Sequence, residues 1–297
     1  MPPKPKRKNP AKERQERAAN RLPYASDLSD DEWKTIAPLF HRKKKDGRGR
    51  PPGTPFREIV NALCYLSRTG CQWRMLPHDF PEWDFVYQWF RQWCGDGTFV
   101  DLNRLLRRQI RVENDRDPDP SLGIIDAQSV KSVEIAGVRG FDGGKKVKGV
   151  KRHIVVDSLG LILIAVVHSA GIHDAQGAFL ALCPMFPSAY PRLVKIMADA
   201  GYGVHGSALA NWLLSVKGWT LEIVHRIADG GFRVLRHRWK VERTFAWLGR
   251  YRRLSRNCEQ LSVTAEGMIY IASIRIMLRQ LVERRTDFYN HETAWAA

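Results

Sequence analysis

Three carboxylates in this sequence are suited by type and position to metal-dependent chemistry. Asp126 and Asp199 each end an apolar run, and Glu242 lies in the arginine-rich segment 238–254. Carboxylate oxygens are preferred ligands of hard divalent cations. Two such ions about 3.5–4 Å apart activate an attacking oxygen and stabilise a leaving oxygen in phosphoryl transfer. If the three acids meet in the fold, the sequence predicts a two-metal site for phosphodiester chemistry.

The segments around these acids predict a mixed sheet. Apolar and β-branched runs indicate three strands in a meander, with a hairpin turn at 157–160, and then helices that alternate with two more strands. This order, βββ-α-β-α-β-α, gives a sheet covered by helices. Asp126 then lies in the first strand, Asp199 at the carboxyl end of the fourth, and Glu242 on the last helix. The three acids converge if the first and fourth strands are neighbours and that helix packs across them.

The segment that carries Glu242 predicts a helix held on two sides. It contains no proline and has two apolar stripes at helical spacing, formed by Val241, Phe245 and Leu248 and by Trp247, Tyr251 and Leu254. An acid on such a rigid helix, surrounded by cations, suits a metal ion that faces a polyanion. The alternative is an ordinary helix in which Glu242 pairs with Arg238 at i−4.

Each acid also has a purely structural interpretation. Asp199 in ADAGYG fits a turn or a helix cap, and Asp126 fits a strand-end cap. Three further acids compete for the metal role: Asp157 is assigned to the hairpin turn, Asp174 to a helix N-cap and Asp142 to a flexible glycine loop. We exclude these three and retain the trio, because its members lie on the elements that such a fold requires.

Changes in composition divide the chain into regions. A capping box, Ser29 with Glu32, opens the first of several helices, and a polar stretch with prolines, NDRDPDP, follows the last of them. The helices fit a helix-turn-helix DNA reader, and a dimerisation domain nearly as well. The predicted regions are a disordered basic arm (1–24), a helical DNA-binding domain (25–113), a linker (114–120), a catalytic α/β domain (121–285) and a C-terminal tail (286–297).

The charge of the chain favours a nucleic acid partner. The 297 residues carry a formal net charge of +17, and 44% of them are hydrophobic, so the chain is globular and basic. The first 21 residues hold eight Lys or Arg and two Glu, which leaves +11 for the remainder. In the loop HRKKKDGRGRPPGT, Arg48 and Arg50 suit insertion into an A·T minor groove, with a solvated basic loop as the alternative.

Cysteine usage and hydropathy bear on the compartment. The five cysteines contain no CxxC pair, which argues against a zinc site or a disulfide framework. No apolar run approaches about 18 residues, and the N-terminus lacks the apolar region of a signal peptide. We therefore expect a cytoplasmic, nucleoid-associated protein with no membrane partner.

Four blocks of the sequence resemble the catalytic blocks of DDE transposases of bacterial insertion sequences, nearest to the group numbered five. They are IIDAQSVK, GFDGGKKVKGVKRHIVVDSLG, ADAGYG and RWKVERTFAWLGRYRRL, and upstream helical segments are similar as well, so that the resemblance covers about residues 28–282 in matching order. It implies an RNase H-like catalytic domain that uses Mg²⁺, or Mn²⁺ in its place, bound by Asp126, Asp199 and Glu242. It also implies cleavage at transposon ends and joining of the freed 3′-hydroxyl to target DNA.

The chain departs from the signature that the wider family carries around its third acid. That signature is Tyr, two residues, Arg, three residues, Glu, six residues, Lys. Arg238 and Glu242 match it, but Leu235 replaces the Tyr and Gly249 replaces the Lys. The departures leave the metal triad intact and affect the basic DNA contact. Arg238 is retained as a DNA contact, and the substitute phosphate contacts are Arg250, Lys145, Lys146, Lys148, Lys151 and Arg152.

The sequence thus leads to one main hypothesis and two rivals. The main one is a transposase that binds double-stranded DNA and works as a homodimer or larger assembly when two ends are brought together. One rival is a metal-dependent nuclease or resolvase of the same fold, which cuts and does not join. The other is a DNA-binding regulator without chemistry. The terminal helix, 265–284, is a candidate subunit interface and equally a cover for the sheet.

Overall fold

The computed structural model of the chain describes residues 21–40, 54–134, 137–224 and 239–295. Side chains are described throughout these ranges except at 204–207 and 284–295. The predicted basic arm therefore lies almost wholly outside the described residues. Within them, a mixed sheet of six strands is covered on both faces by helices.

The sheet joins an antiparallel meander to a parallel pair of strands. β1 lies at its centre, antiparallel to β3 on one side and parallel to β5 on the other, and β6 extends the sheet beyond β5. β2 and β4 pair with successive parts of β3. The strands are β1 (Leu122–Lys131), β2 (Gly140–Asp142), β3 (Val147–Val156), β4 (Ile162–Ser169), β5 (Lys195–Asp199) and β6 (Thr220–Val224).

Eight α-helices are present in the described parts of the chain. Four precede the sheet: α1 (Asp30–Ile36), α2 (Phe56–Thr69), α3 (Trp83–Gly95) and α4 (Thr98–Val112). Two lie between its strands: α5 (Asp174–Leu182) and α6 (Gly206–Trp212). Two follow the last strand: α7 (Trp239–Leu248) and α8 (Ser262–Trp295), which continues beyond its predicted end into the predicted tail.

Local signals account for several element boundaries. The predicted capping box is confirmed, because the Ser29 side chain accepts from the Glu32 amide and the Glu32 side chain accepts from the Ser29 amide. The predicted hairpin is also confirmed. In its turn, Asp157 Oδ1 accepts from the amides of Leu159 and Leu161, and Gly160 takes a left-handed φ of 81°. This turn fixes β4 against β3.

Each face of the sheet has its own hydrophobic layer. On one face, Ile124 and Ile154 pack in a cluster that includes residues of α7 and α8. On the other face, Ile125, Val155 and Leu163 pack with residues of α5 and α6. Alternate residues of a strand point to opposite faces, which explains the division. The strand order and the two helical layers are those of the RNase H-like fold, as the sequence predicts.

The N-terminal helices share the core of the first face. Their aromatic side chains pack against one another, for example Phe40 edge-to-face on Trp93, and the same cluster continues into α8 and the sheet. Arg111 of α4 forms a buried ion pair with Asp157 at 2.6 Å, and Arg275 of α8 pairs with Glu32. The terminal helix is therefore a cover for the sheet and for these helices. The domain boundaries themselves, including the linker 114–120, remain predictions.

Among the described helices, none combines the length and the apolar character needed to cross a bilayer.

Candidate active site

The register of β1 and β5 brings the first two acids to the same level of the sheet. The two strands are parallel, and Ile124 of β1 lies beside Met197 of β5. Asp126 and Asp199 each lie two residues beyond this pair on their own strands. A step of two residues keeps the face and advances both strands equally. Both acids are therefore on the face that carries Ile124 and Met197, which is the face covered by α7 and α8.

The backbone holds each of these carboxylates locally. Asp126 Oδ1 accepts from the Ala127 amide at 2.7 Å, and Asp199 Oδ1 accepts from the Gly201 amide at 2.8 Å. A Cβ at position 201 would lie 3.0 Å from that Asp199 oxygen, so glycine keeps the turn compatible with the carboxylate. Both acids are partly exposed: Asp126 lies in the middle of β1, and Asp199 is the last residue of β5.

α7 carries the third acid and is fixed against the same face. Its apolar residues Val241, Phe245 and Leu248 are buried, as the stripe at helical spacing predicts, while Glu242 is exposed. The helix contacts β1 and β3. Thr244 Oγ1 donates to the Gly160 carbonyl at 2.7 Å, which ties α7 to the β3–β4 turn. Glu242 therefore projects from a rigid helix that lies over the two aspartates' face of the sheet.

The oxygen ligands of Asp126, Asp199 and Glu242 suit a hard divalent cation, but the three carboxylates are not close enough together to bind one. Three carboxylates supply only oxygen ligands, which suits Mg²⁺. Within the ranges that the structure describes, no three His, Cys, Asp or Glu side chains lie close enough together to hold an ion. The shared level and face of Asp126 and Asp199 are thus present in the backbone, and metal binding would have to draw the three carboxylates together.

Asp142 has a different environment from the flexible loop that the sequence suggests. It is 8% exposed and accepts hydrogen bonds from Ser129 and from the amides of Gly144 and Lys145. Burial opposes its ionisation, but these hydrogen bonds and the nearby lysines outweigh burial and lower the pKa of Asp142. The prediction of a flexible position was wrong, since Asp142 anchors the glycine- and lysine-rich loop to β1.

Two predicted phosphate contacts lie inside the protein. Lys151 is 5% exposed, and its Nζ lies 2.8 Å from Asp174 and 3.6 Å from Asp142. Its charge is therefore used in internal ion pairs and is not offered to DNA. The prediction that Asp174 is a helix N-cap was wrong, because Asp174 is the first residue of α5 and His173 is its N-cap. Arg152 is 4% exposed and donates from Nη1 to the Leu254 carbonyl at 2.6 Å.

The other basic residues divide into exposed and undescribed ones. Lys145 and Lys146 are exposed on the loop between β2 and β3, Lys148 is exposed at the start of β3, and Arg250 is exposed just after α7. Lys145 Nζ donates to the Ala127 carbonyl at 3.1 Å, which keeps its charge beside Asp126. Three predicted contacts, Arg48, Arg50 and Arg238, lie outside the described residues, and so does the alternative ion pair between Arg238 and Glu242.

A buried histidine pair behind the site escaped prediction from sequence. His153 Nδ1 lies 2.6 Å from His168 Nε2, and His153 Nε2 lies 3.0 Å from the Tyr202 hydroxyl. Burial, reinforced by nearby charges, places the pKa of His153 well below its usual value, so the ring is neutral. Tyr202 follows Asp199 in the chain, so this network supports the turn that carries Asp199. The only sequence signal is a histidine inside each of two apolar runs.

The RNase H-like fold is the scaffold of a class of enzymes that process nucleic acids, and comparison with known proteins identifies the family. Residues 117–277 match the family described as "Transposase DDE domain", and residues 28–103 match "Putative transposase of IS4/5 family". The chain belongs to the DDE transposases of insertion sequences. This family cleaves and binds DNA and uses divalent metal ions.

Two curated proteins are similar to parts of the chain. The "Putative transposase for insertion sequence element IS402" of Burkholderia cepacia is 34% identical over 116 residues, which cover 36% of this chain and 52% of that protein. The "Uncharacterized protein y4sN" of Sinorhizobium fredii (strain NBRC 101917 / NGR234) is 29% identical over 86 residues, which cover 29% of this chain and 67% of that protein. The chain thus spans about half the length of the first of these. No solved structure matches the chain significantly.

Proposed function

We propose that this transposase cleaves the phosphodiester bond at the ends of its insertion sequence and joins the freed 3′-hydroxyl to target DNA. Asp126, Asp199 and Glu242 would hold two divalent ions, Mg²⁺ or Mn²⁺. The observation that supports the proposal most strongly is the parallel register of β1 and β5, which aligns two acids on the face beneath the helix of the third. Lys145, whose Nζ donates to the carbonyl of the neighbouring Ala127, would add a positive charge suited to DNA.

The protein contributes ligands, orientation and positive charge to this reaction. Bound divalent ions would supply activation of the attacking oxygen and stabilisation of the leaving oxygen. Asp126 and Asp199 project from paired strands, and Glu242 projects from a helix anchored to the β3–β4 turn, so all three ligands stand on rigid elements. Lys145, held at the Ala127 carbonyl, would counter the negative charge of a phosphate beside Asp126.

The proposed reaction needs no covalent protein intermediate. Water attacks the scissile phosphorus and the 3′-oxygen leaves with a proton, which produces a 3′-hydroxyl end and a 5′-phosphate. That hydroxyl then attacks a phosphodiester of the target, displacing another 3′-oxygen. The number of phosphodiester bonds is conserved in the second step, so joining requires no external energy source.

Substitution of the triad tests the assignment. We expect Asp126→Ala and Glu242→Gln to lower cleavage and joining by at least about 1,000-fold, because removal of a metal ligand removes most of the electrostatic catalysis. Binding to end DNA, measured by anisotropy in EDTA, should stay within about threefold of the unmodified protein, since phosphate contacts dominate affinity. Asp101→Asn, at an exposed acid on α4, is the matched control and should retain full activity.

The same assay separates the rival functions. A radiolabelled 3′-end that is recovered in longer products after addition of target DNA shows joining, whereas shortened products alone would leave a nuclease. A regulator without chemistry predicts that Mg²⁺ affects only screening. Full activity of either triad variant would refute the assignment of that residue.

The assembly and place of action follow from the proposed reaction. Two transposon ends must be held together, so we expect a homodimer or larger assembly when DNA is bound. Light scattering of the protein with and without end duplexes measures the mass directly. The enzyme would act on DNA at the nucleoid.

A further inference from the structure

An open groove runs beside Asp126 on the α7 face of the sheet. It has a volume of about 350 Å³ and lies between β1, β3 and the turn that follows α7. Three polar residues, Gln128, Ser129 and Ser255, line it together with three basic ones, Lys131, Arg152 and Arg256. Among its described lining residues none is acidic. Such a groove suits an anion.

The strand register places this groove one step from the predicted catalytic acid. In the antiparallel pairing of β1 with β3, Asp126 lies opposite Ile154 and Gln128 lies opposite Arg152. Gln128 and Arg152 are thus two residues along the strands from that pair and on the same face. Two residues of β-strand span about 7 Å. An anion held in the groove would therefore be a near neighbour of a phosphate at Asp126.

Arg152 is a buried cation with no carboxylate counter-ion among the residues that the structure describes. Its guanidinium donates a hydrogen bond to the Leu254 carbonyl, and none of the described carboxylates lies within ion-pair distance. Burial lowers the pKa of its guanidinium to about 10. A buried charge is costly unless a partner of opposite charge compensates for it. The groove that Arg152 lines is where such a partner has room to bind.

The rim of the groove supplies two further cations and open space. Lys131 at the end of β1 and Arg256 after α7 are both exposed. Gly249, at the place where the family signature has a Lys, lines the same groove and has no side chain to fill it. The basic residues that face the groove therefore come from β1, β3 and the turn after α7.

We propose that this groove binds a backbone phosphate of the substrate DNA adjacent to the scissile one, with Arg152 as the buried contact and Lys131 and Arg256 as rim contacts. The inference rests on the proposed function, because it takes DNA as the substrate and Asp126 as part of the reaction centre. It also gives a reason for burying an arginine that has no carboxylate partner in the described part of the chain, because the counter-ion arrives with the substrate.

Substitution of Arg152 by a residue of similar length and no charge gives the sharpest test. In Arg152→Met, the melting temperature without DNA should be unchanged or higher, because an uncompensated buried charge is removed. Affinity for a fluorescein-labelled DNA duplex, measured by anisotropy in EDTA, should fall about tenfold, as expected for loss of one charge-assisted hydrogen bond. Unchanged affinity together with a lower melting temperature would show a purely structural arginine and overturn the proposal.

The rim residues provide a second test that does not disturb the core. The double variant Lys131→Ala with Arg256→Ala should bind the same duplex more weakly, and the slope of log affinity against log salt should fall by about 1.8. The matched control is Lys34→Ala with Arg192→Ala, which removes two exposed cations from other elements and should leave the slope unchanged. Equal slopes for the two double variants would overturn the proposal even if Arg152→Met fails to fold.

These outcomes are separable from those that test the proposed function. If the unmodified protein fails to cleave end DNA with Mg²⁺ or Mn²⁺, the reaction is refuted, while the binding measurements in EDTA still decide the groove. If the unmodified protein cleaves and both groove variants bind normally, the groove assignment is refuted and the triad is unaffected.

Discussion

At the scale of single residues, the histidine pair behind the site depends on one glycine. Gly177 of α5 packs directly on both rings: a Cβ there would lie 2.4 Å from His153 Cε1 and 2.6 Å from His168 Nε2. Both imidazoles are held by hydrogen bonds, to each other and to Tyr202 and the Ser169 carbonyl. They cannot move aside without breaking this network, which supports the turn after Asp199.

We therefore expect Gly177→Ala to destabilise the protein by about 1–3 kcal/mol, the usual cost of overpacking a core, even though alanine favours helix formation. The free energy of unfolding from urea denaturation measures this. Gly143→Ala is the matched control, because a Cβ at that exposed position meets nothing within 4 Å. A Gly177→Ala protein as stable as the control would show that the rings yield without cost.

Residue types alone could not separate buried cations from exposed ones. Lys148 and Lys151 lie three positions apart in one basic stretch, yet Lys148 is exposed and Lys151 is in internal ion pairs. In β3 every residue after Lys148 is buried, because both faces of that strand are covered. The alternation that would reveal the inner positions of a half-exposed strand is therefore absent. Only the packing of the helices decides which charges face DNA.

At the scale of elements, α8 carries a buried acid against the sheet. Glu266 Oε1 accepts from the Val167 amide of β4 at 2.9 Å. Burial raises the pKa of Glu266 from its usual 4.5 to about 7, and the hydrogen bond offsets only part of this. The folded state therefore holds the proton more tightly than the unfolded chain. The contribution of Glu266 to stability is complete below about pH 4.5 and is lost as the pH rises through 7.

The prediction is that Glu266→Gln stabilises the protein relative to the unmodified chain at pH 8, on the order of 2 kcal/mol, and much less at pH 5. Urea denaturation of both proteins at each pH gives the difference. The lowered pKa values of His153 and His168 also make the folded state less stable as the pH falls. This effect is the same in both proteins, so it cancels in the difference between them. Glu283→Gln, an exposed position on the same helix, should show no such pH-dependent gain. A Glu266→Gln difference independent of pH would contradict the assignment.

Elements were predictable where their signals are local. The capping box, the left-handed Gly70 after α2 and the Asp157–Gly160 turn are each specified by a few adjacent residues. The pairing of β1 with β5 joins residues more than 70 positions apart, and no local signal encodes it. Its prediction rested on the order of elements and on family resemblance. The short β2, and with it the anchoring role of Asp142, depends on a pairing with β3 that turn chemistry does not reveal.

At the scale of the whole molecule, the N-terminal helices and the sheet share one hydrophobic core and are joined by buried polar contacts. Asn103 and Arg107 of α4 both donate to the Ile162 carbonyl of β4, at 2.7 and 3.0 Å. The pair of Arg111 with Asp157, whose side chains are 6% and 0% exposed, joins the same helix to the hairpin turn. Removing the cation from a buried ion pair destabilises a protein by about 3–5 kcal/mol. The helical region thus completes the polar and apolar contacts of the sheet.

This arrangement predicts that residues 114–297, expressed without the helices, will not form a stable domain. The fragment would expose the face of α8 that packs on α2, α3 and α4, and would leave Asp157 buried without Arg111. We expect the full chain to unfold in a single calorimetric transition and the fragment to show no transition. Trypsin should cleave the fragment rapidly under conditions in which the described core of the full chain resists cleavage. Two separate transitions in the full chain, or a fragment that melts cooperatively, would show instead that the catalytic region folds by itself and that the helices are an independent DNA-binding domain.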